Sequence, residues 1–201
     1  MSDALEGATW EFRTAVRVVW SAMRLTKGVR WEGLESVPRE GPLLVAANHV
    51  SMIDPPLVGL ALSQVRLSRF MAKEELFRFP PLGRLLRRIG CIPLDRGRGD
   101  VKAVREALEV LREGGCLTVF PEGTRARDGK PGRPKPGVAL LARQTGARVL
   151  PARVFNTTSL RGTEPFRVRF GTPLPPPEPA EDSREADRRY AQKVMDAVFA
   201  L

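Results

Sequence analysis

The chain has 201 residues, 42% of them hydrophobic, enough for one compact domain with its own core. Thirty-three Lys+Arg against 23 Asp+Glu leave a net charge of +10, which points to an anionic partner: nucleic acid, a phospholipid surface or a phosphorylated substrate. Two cysteines, Cys91 and Cys116, and the single histidine His49 argue against a disulfide framework and against a zinc site.

Asp3, Glu6 and Glu11 interrupt the N-terminal stretch where a signal peptide would be apolar. No uncharged run approaches the roughly 20 residues of a membrane span, so the expectation is an intracellular chain without one. Trp10 to Leu25 reads as an amphipathic helix, with Arg13, Arg17 and Arg24 on one stripe and Trp10, Phe12, Val16, Val19, Trp20 and Met23 over much of the rest. Arginines beside tryptophans suit a helix lying in a membrane interface. The alternative is a helix packed on its own domain.

Leu43 to Ala47 is a continuous apolar run of strand length, as in a strand covered on both faces. Asp54-Pro55-Pro56 then starts a helix to about Leu62, with Asp54 expected at the N-cap. Arg66 to Ala72 is a candidate strand, and Glu74 to Arg88 a helix interrupted near Pro80-Pro81. Asp100 to Arg112 carries the helical period Val101, Val104, Leu108, Leu111, closed by Gly114-Gly115. Cys116–Phe120 and Val149–Phe155 read as strands, with a helix from Pro136 to Gln144 between them. Arg167–Phe170 is expected as an edge strand, Pro173–Pro179 as a connector and Arg184–Phe199 as a charged terminal helix. Strands alternating with helices predict a single α/β domain, a mostly parallel sheet covered by helices, preceded by the amphipathic helix.

The chemistry gathers at strand ends. His49 follows the Leu43–Ala47 strand and precedes Asp54 by five residues. Histidine is the default general base near neutral pH. In a continuous helix, residues five apart lie about 500° round the axis, on different faces. The two therefore meet only if His49 lies in the strand-to-helix loop and Asp54 opens the helix. An aspartate on one ring nitrogen would fix the tautomer and stabilise the imidazolium. No nucleophile accompanies them, since Ser51 lacks a Gly-x-Ser-x-Gly elbow, so direct deprotonation of a substrate hydroxyl is the economical mechanism.

Phe120-Pro121-Glu122-Gly123-Thr124-Arg125 follows the next apolar strand, at the sheet end where open α/β folds bind ligands. Gly123 permits close backbone approach, Arg125 offers a phosphate fork and Glu122 a hydroxyl partner; a surface turn is the plainer account. In Gly90 to Arg96, a structural ion pair suits Arg96 as well as phosphate binding does. Val149-Leu150-Pro151-Ala152-Arg153-Val154 is a core strand.

These four segments, in this order, resemble the glycerolipid acyltransferase family, most closely its bacterial lysophosphatidate (1-acyl-sn-glycerol-3-phosphate) acyltransferases. Asn48-His49-Val50-Ser51-Met52-Ile53-Asp54 matches the family's N-H-x-S-x-x-D block, and Phe120 through Arg125 matches its third block without a mismatch. Gly90 through Arg96 and Val149-Leu150-Pro151 resemble the second and fourth. Cys91-Ile92-Pro93 departs from the larger hydrophobic residue usual in relatives. The resemblance implies an enzyme in which His49, oriented by Asp54, deprotonates the acceptor hydroxyl. It implies that Arg96, Glu122, Gly123, Thr124 and Arg125 hold the glycerol phosphate, with oxyanion donors near the first block. The acyl donor would be a thioester of coenzyme A or acyl carrier protein, with no cofactor and no metal. The product would be phosphatidic acid for phospholipid synthesis. The expected organisation is a membrane-associating helix over residues 1–29 and a catalytic domain over 30–201, peripheral or monotopic on the cytoplasmic face of the cell membrane, against its anionic surface.

Three other readings compete. One keeps the chemistry but changes the acceptor to glycerol-3-phosphate, another lysophospholipid or a lipid hydroxyl. A non-catalytic lipid-binding relative leaves His49 and Asp54 without a purpose. A nucleic-acid-binding protein accounts for the charge but not for the order of the blocks, and its recognition signatures are missing.

Overall fold

The computed structural model describes residues 10–95, 100–126, 132–178 and 183–201. Helix α1 (Trp10–Thr26) leads into strand β1 (Val29–Glu32) and then β2 (Leu43–Ala47). Helix α2 (Asp54–Leu62), strand β3 (Arg69–Lys73), a 3-10 turn over Glu74–Phe77, helix α3 (Pro80–Arg88) and strand β4 (Ile92–Leu94) follow. Helix α4 (Val101–Arg112), β5 (Cys116–Val119), α5 (Gly137–Thr145), β6 (Arg148–Phe155), β7 (Phe166–Phe170) and α6 (Arg184–Phe199) complete the order.

The strands form one sheet in the order β1-β7-β6-β2-β5-β3-β4. Every neighbouring pair is parallel except β6 with β7. The uninterrupted apolar run of β2 has its cause in this arrangement. It lies between β5 and β6, and its five residues are fully buried. Leu43, Val45 and Ala47 face one side with α1 and α2, whereas Leu44 and Ala46 face the other with α4, α5 and α6. Asp100 caps α4 by accepting from the Ala103 amide, and Ser183 caps α6 through Ala186. A half-buried, bidentate Arg143–Asp187 pair joins α5 to α6.

Two expectations need correction. Phe166–Phe170 is not an edge, because β1 pairs in parallel outside it, Val29 opposite Phe166 through Glu32 opposite Arg169. Asp54 is not the N-cap of α2 either. Ile53 holds that position and Asp54 is the first helical residue, which frees its carboxylate to turn back over the preceding loop.

Helix α1 divides its apolar residues between two faces. Val16 and Met23 are buried in the core and Trp20 packs on Trp31, ring centroids 5.9 Å apart. Trp10, Val18 and Leu25 lie on the outer side, 70%, 63% and 86% exposed, beside the exposed Arg13 and Arg17. Among the described residues no helix is long and apolar enough to cross a membrane.

Candidate active site

Strands β2, β5 and β6 are adjacent, and the loops leaving their carboxyl ends converge. The first structural device is Asn48. Just past β2, its side-chain amide donates to the Val154 carbonyl (3.1 Å) and accepts from the Val154 amide (2.7 Å). It thus extends the β2–β6 ladder with a side chain after the backbone has turned away, and it points the next residue, His49, into the loop.

His49 and Asp54 meet. The imidazole Nδ1 lies 2.9 Å from Asp54 Oδ2, which also accepts from the Val50 amide (2.6 Å) and the Ser51 amide (2.7 Å). Oδ1 accepts from the Thr157 hydroxyl at 2.6 Å. Asp54 is completely buried and Thr157 is 1% exposed. A carboxylate only accepts, so Nδ1 carries the hydrogen of this pair and Nε2 keeps its lone pair for a proton. The ring stacks on Phe120, centroids 4.4 Å apart, and His49 retains 8% exposure. One face of the imidazole is thereby fixed by an aromatic and one edge by a carboxylate.

The Phe120–Ala126 loop grips the His49 backbone from both sides. Glu122 Oε1 accepts from the His49 amide (2.9 Å), while the Ala126 amide donates to the His49 carbonyl (2.7 Å). Glu122 Oε2 takes the Gly132 amide at 2.8 Å, so both oxygens of this buried carboxylate are occupied by backbone. Gly123 has φ +72°, and a Cβ there would lie 2.7 Å from Lys135 Cε and 2.9 Å from its Nζ. Only glycine leaves room for the lysine to cross the turn. Thr124 and Arg125 are exposed, two residues and one residue before Ala126, whose amide ties the loop to His49. Arg96 lies outside the described residues, as do Arg127 and Lys130.

Thr157 is the site residue that sequence reading missed. It lies 103 positions from Asp54, beyond β6, and only the pairing of β6 with β2 brings it near. Asn156 before it has φ +63°, one of the few non-glycine amino acids that tolerate such a turn. The Asn-Thr-Thr at a strand end was the available signal.

Comparisons with known proteins place the chain in a family. The family model described as Acyltransferase matches residues 28–154, from the start of β1 to the end of β6. The chloroplastic 1-acyl-sn-glycerol-3-phosphate acyltransferase LPAT1 of Arabidopsis thaliana is 29% identical over 76% of this chain and 44% of its own length. The lyso-ornithine lipid O-acyltransferase of Pseudomonas aeruginosa is 38% identical over 52% of the chain and 40% of its own. The crystal structure of the 1-acyl-sn-glycerophosphate acyltransferase PlsC from Thermotoga maritima superposes with a TM-score of 0.68. It has 28% identity and covers 96% of this chain and 82% of that one. The chain spans about half the length of the curated relatives it matches. The matched region includes His49, Asp54 and the whole Phe120–Ala126 loop, and the chain belongs to the acyltransferase family.

Proposed function

We propose that the protein transfers an acyl group from a thioester to the sn-2 hydroxyl of 1-acyl-sn-glycerol-3-phosphate, giving phosphatidic acid. The observation that carries this reading is the buried His49–Asp54 pair at the carboxyl end of β2, with Nε2 left to accept a proton. His49 Nε2 removes the hydroxyl proton as that oxygen attacks the thioester carbonyl. The tetrahedral intermediate collapses, the carbon–sulfur bond breaks, and the proton on His49 passes to the departing thiolate. Asp54 stabilises the imidazolium between these two transfers.

The acceptor phosphate is assigned to Arg125, in the loop tied to His49, and to Lys135, whose side chain crosses the turn at Gly123, with Thr124 as a further ligand. Gly123 provides the close approach. Glu122 contributes by holding the loop on the His49 backbone. The lipid substrates are reached through the outer face of α1, where Trp10, Val18 and Leu25 enter the interface and Arg13 and Arg17 meet anionic headgroups.

A second reading keeps the reaction and replaces the acceptor by another lysolipid. It is favoured by the 38% identity to an enzyme named for lyso-ornithine lipid. Acyl transfer in liposomes, wild type beside His49→Ala, tests both. Loss of a general base predicts a fall of about 10²–10⁴-fold in turnover with the fold unchanged by circular dichroism. Near-normal turnover by the variant would refute the assignment of the base. Transfer to lyso-ornithine lipid but not to lysophosphatidate would replace the first acceptor by the second.

A further inference from the structure

We infer that a basic cavity at the same end of the sheet as His49 holds the phosphate of the phosphopantetheine arm that carries the acyl thioester. The inference rests on the acyl-transfer reading and extends it to the donor. The cavity has a volume of about 810 Å³ and lies against the ends of β3 and β4. Glu74 follows β3, and Pro93 belongs to β4. Asp100 accepts from the amide of Asp95, the residue after β4. Cations reach it from two elements, Arg84 and Arg87 from α3 and Lys102 from α4, with Arg78 from the turn before α3.

Its charge is biased toward an anion. Four cations face two carboxylates, and one of these, Asp100, has both oxygens on backbone amides, those of Ala103 and Asp95. Arg87 is steered by a stack over the Phe77 ring at 5.6 Å, and Arg84 Nε donates back to Pro80 at 3.3 Å. Guanidinium groups set in this way present their remaining N–H donors as a fork, the geometry that phosphate oxygens accept. Phe77, Pro80 and Pro93 supply an apolar wall for an uncharged arm.

Distance decides which phosphate belongs here. The base follows β2, and in the order β2-β5-β3-β4 the cavity lies two to three strands away. At roughly 4.8 Å per strand that is about 10–14 Å. On the acceptor, the reacting hydroxyl and the phosphate sit on neighbouring glycerol carbons, so its phosphate stays beside His49, within reach of the β5 loop. On the donor, the long pantetheine arm separates the thioester sulfur from the first phosphate. A thioester at His49 and a phosphate at Arg84 and Lys102 therefore suit one donor molecule.

Coenzyme A and acyl carrier protein share this phosphorylated arm, whereas acyl-pantetheine ends without the phosphate. The test is Arg84→Ser combined with Lys102→Ser. Both side chains are exposed, on separate helices, so the fold has little to lose. Assays run in zwitterionic micelles, which remove any anionic lipid surface. The expected result is a tenfold or greater rise in KM for acyl-CoA, acyl carrier protein donor or both, the affected arm identifying the source. The wild-type preference for the phosphorylated donor over acyl-pantetheine, as a ratio of kcat/KM, then collapses toward one. An equal loss with acyl-pantetheine, a rise confined to the KM for lysophosphatidate, or no change overturns the proposal. Titration of free coenzyme A separates this failure from that of the acyl-transfer reading. Binding by wild type and not by the double variant, with no transfer from any donor, would sink acyl transfer and keep the cavity. Equal binding by both proteins would sink the cavity.

Discussion

At the scale of single residues, Asp54 is held from several directions at once. It is fully buried and receives four donors, three on one oxygen and Thr157 on the other. The Thr157 bond sets the rotation of the carboxylate and, through it, the direction of the imidazole. Thr157 touches no reacting atom, so it is a positioning residue. A hydrogen bond to a charged group is worth about 1.5–3 kcal/mol. Thr157→Val should therefore lower kcat by about tenfold or more while KM for both substrates holds, and Thr157→Ser should recover most of it. A variant whose thermal midpoint falls while kcat per folded molecule is unchanged would reduce Thr157 to a structural role. Asn48 has a different consequence. Asn48→Ala strands the Val154 amide and carbonyl in a buried place, a cost of about 1–3 kcal/mol for each group, readable as a lower urea midpoint.

At the scale of elements, α1 has a buried side and an exposed apolar side. Its inner residues hold it to the domain, so Met23→Ala should cost about 2–5 kcal/mol of stability. Its outer residues do no such work. Trp10→Ser with Leu25→Ser should leave the unfolding midpoint in place and weaken sedimentation with anionic vesicles. Undiminished binding would end the interfacial assignment. Element legibility followed the same physics. The termini of β2 and α6 were readable because burial on both faces makes a strand uniformly apolar, and because Ser183 and a charged periodic face mark a helix. Strand β1 was not readable. Val29-Arg30-Trp31-Glu32 is short and mixed, and only its partner β7 makes it a strand. Missing it turned β7 into an apparent edge. Within the site, the His49–Asp54 spacing was legible because one lies in the loop after β2 and the other opens the helix that follows it. Thr157 was not, since its partner is chosen by strand order rather than by neighbouring sequence.

At the scale of the whole molecule, the two thiols report on the packing of the sheet. Burial raises Cys91 from 9.0 to about 12 and Cys116 to about 11. Tyr190, on the buried side of α6, is raised from 10.0 to about 12 by the same cause. Each group stays neutral in the folded chain at a pH where the unfolded chain ionises. Their contribution is therefore fully present below about pH 9 and lost as pH climbs toward 11–12, where unfolding gains the free energy of ionisation. The unfolding free energy should decline across that window, and Cys91→Ala with Cys116→Ala should flatten the decline. A thiol reagent at pH 8 should label neither cysteine until denaturant is added; rapid labelling of the native protein would contradict the burial of both.

The wiring of the site also bears on how the protein comes into being. The bonds from Asn48 to Val154 and from Asp54 to Thr157 span 106 and 103 residues, and β2 pairs with both β5 and β6. A chain emerging from the ribosome carries the His-x4-Asp block early, yet the strand that anchors its asparagine, and the threonine just beyond that strand, leave the exit tunnel only much later. Loop closure over such distances is slow. Half-made chains would thus expose β2 without neighbours, a surface for chaperones rather than for substrate. The His49–Asp54 pair gains its distant supports in one late step, when β6 pairs with β2, so an unfinished copy lacks the fixed imidazole of the folded chain.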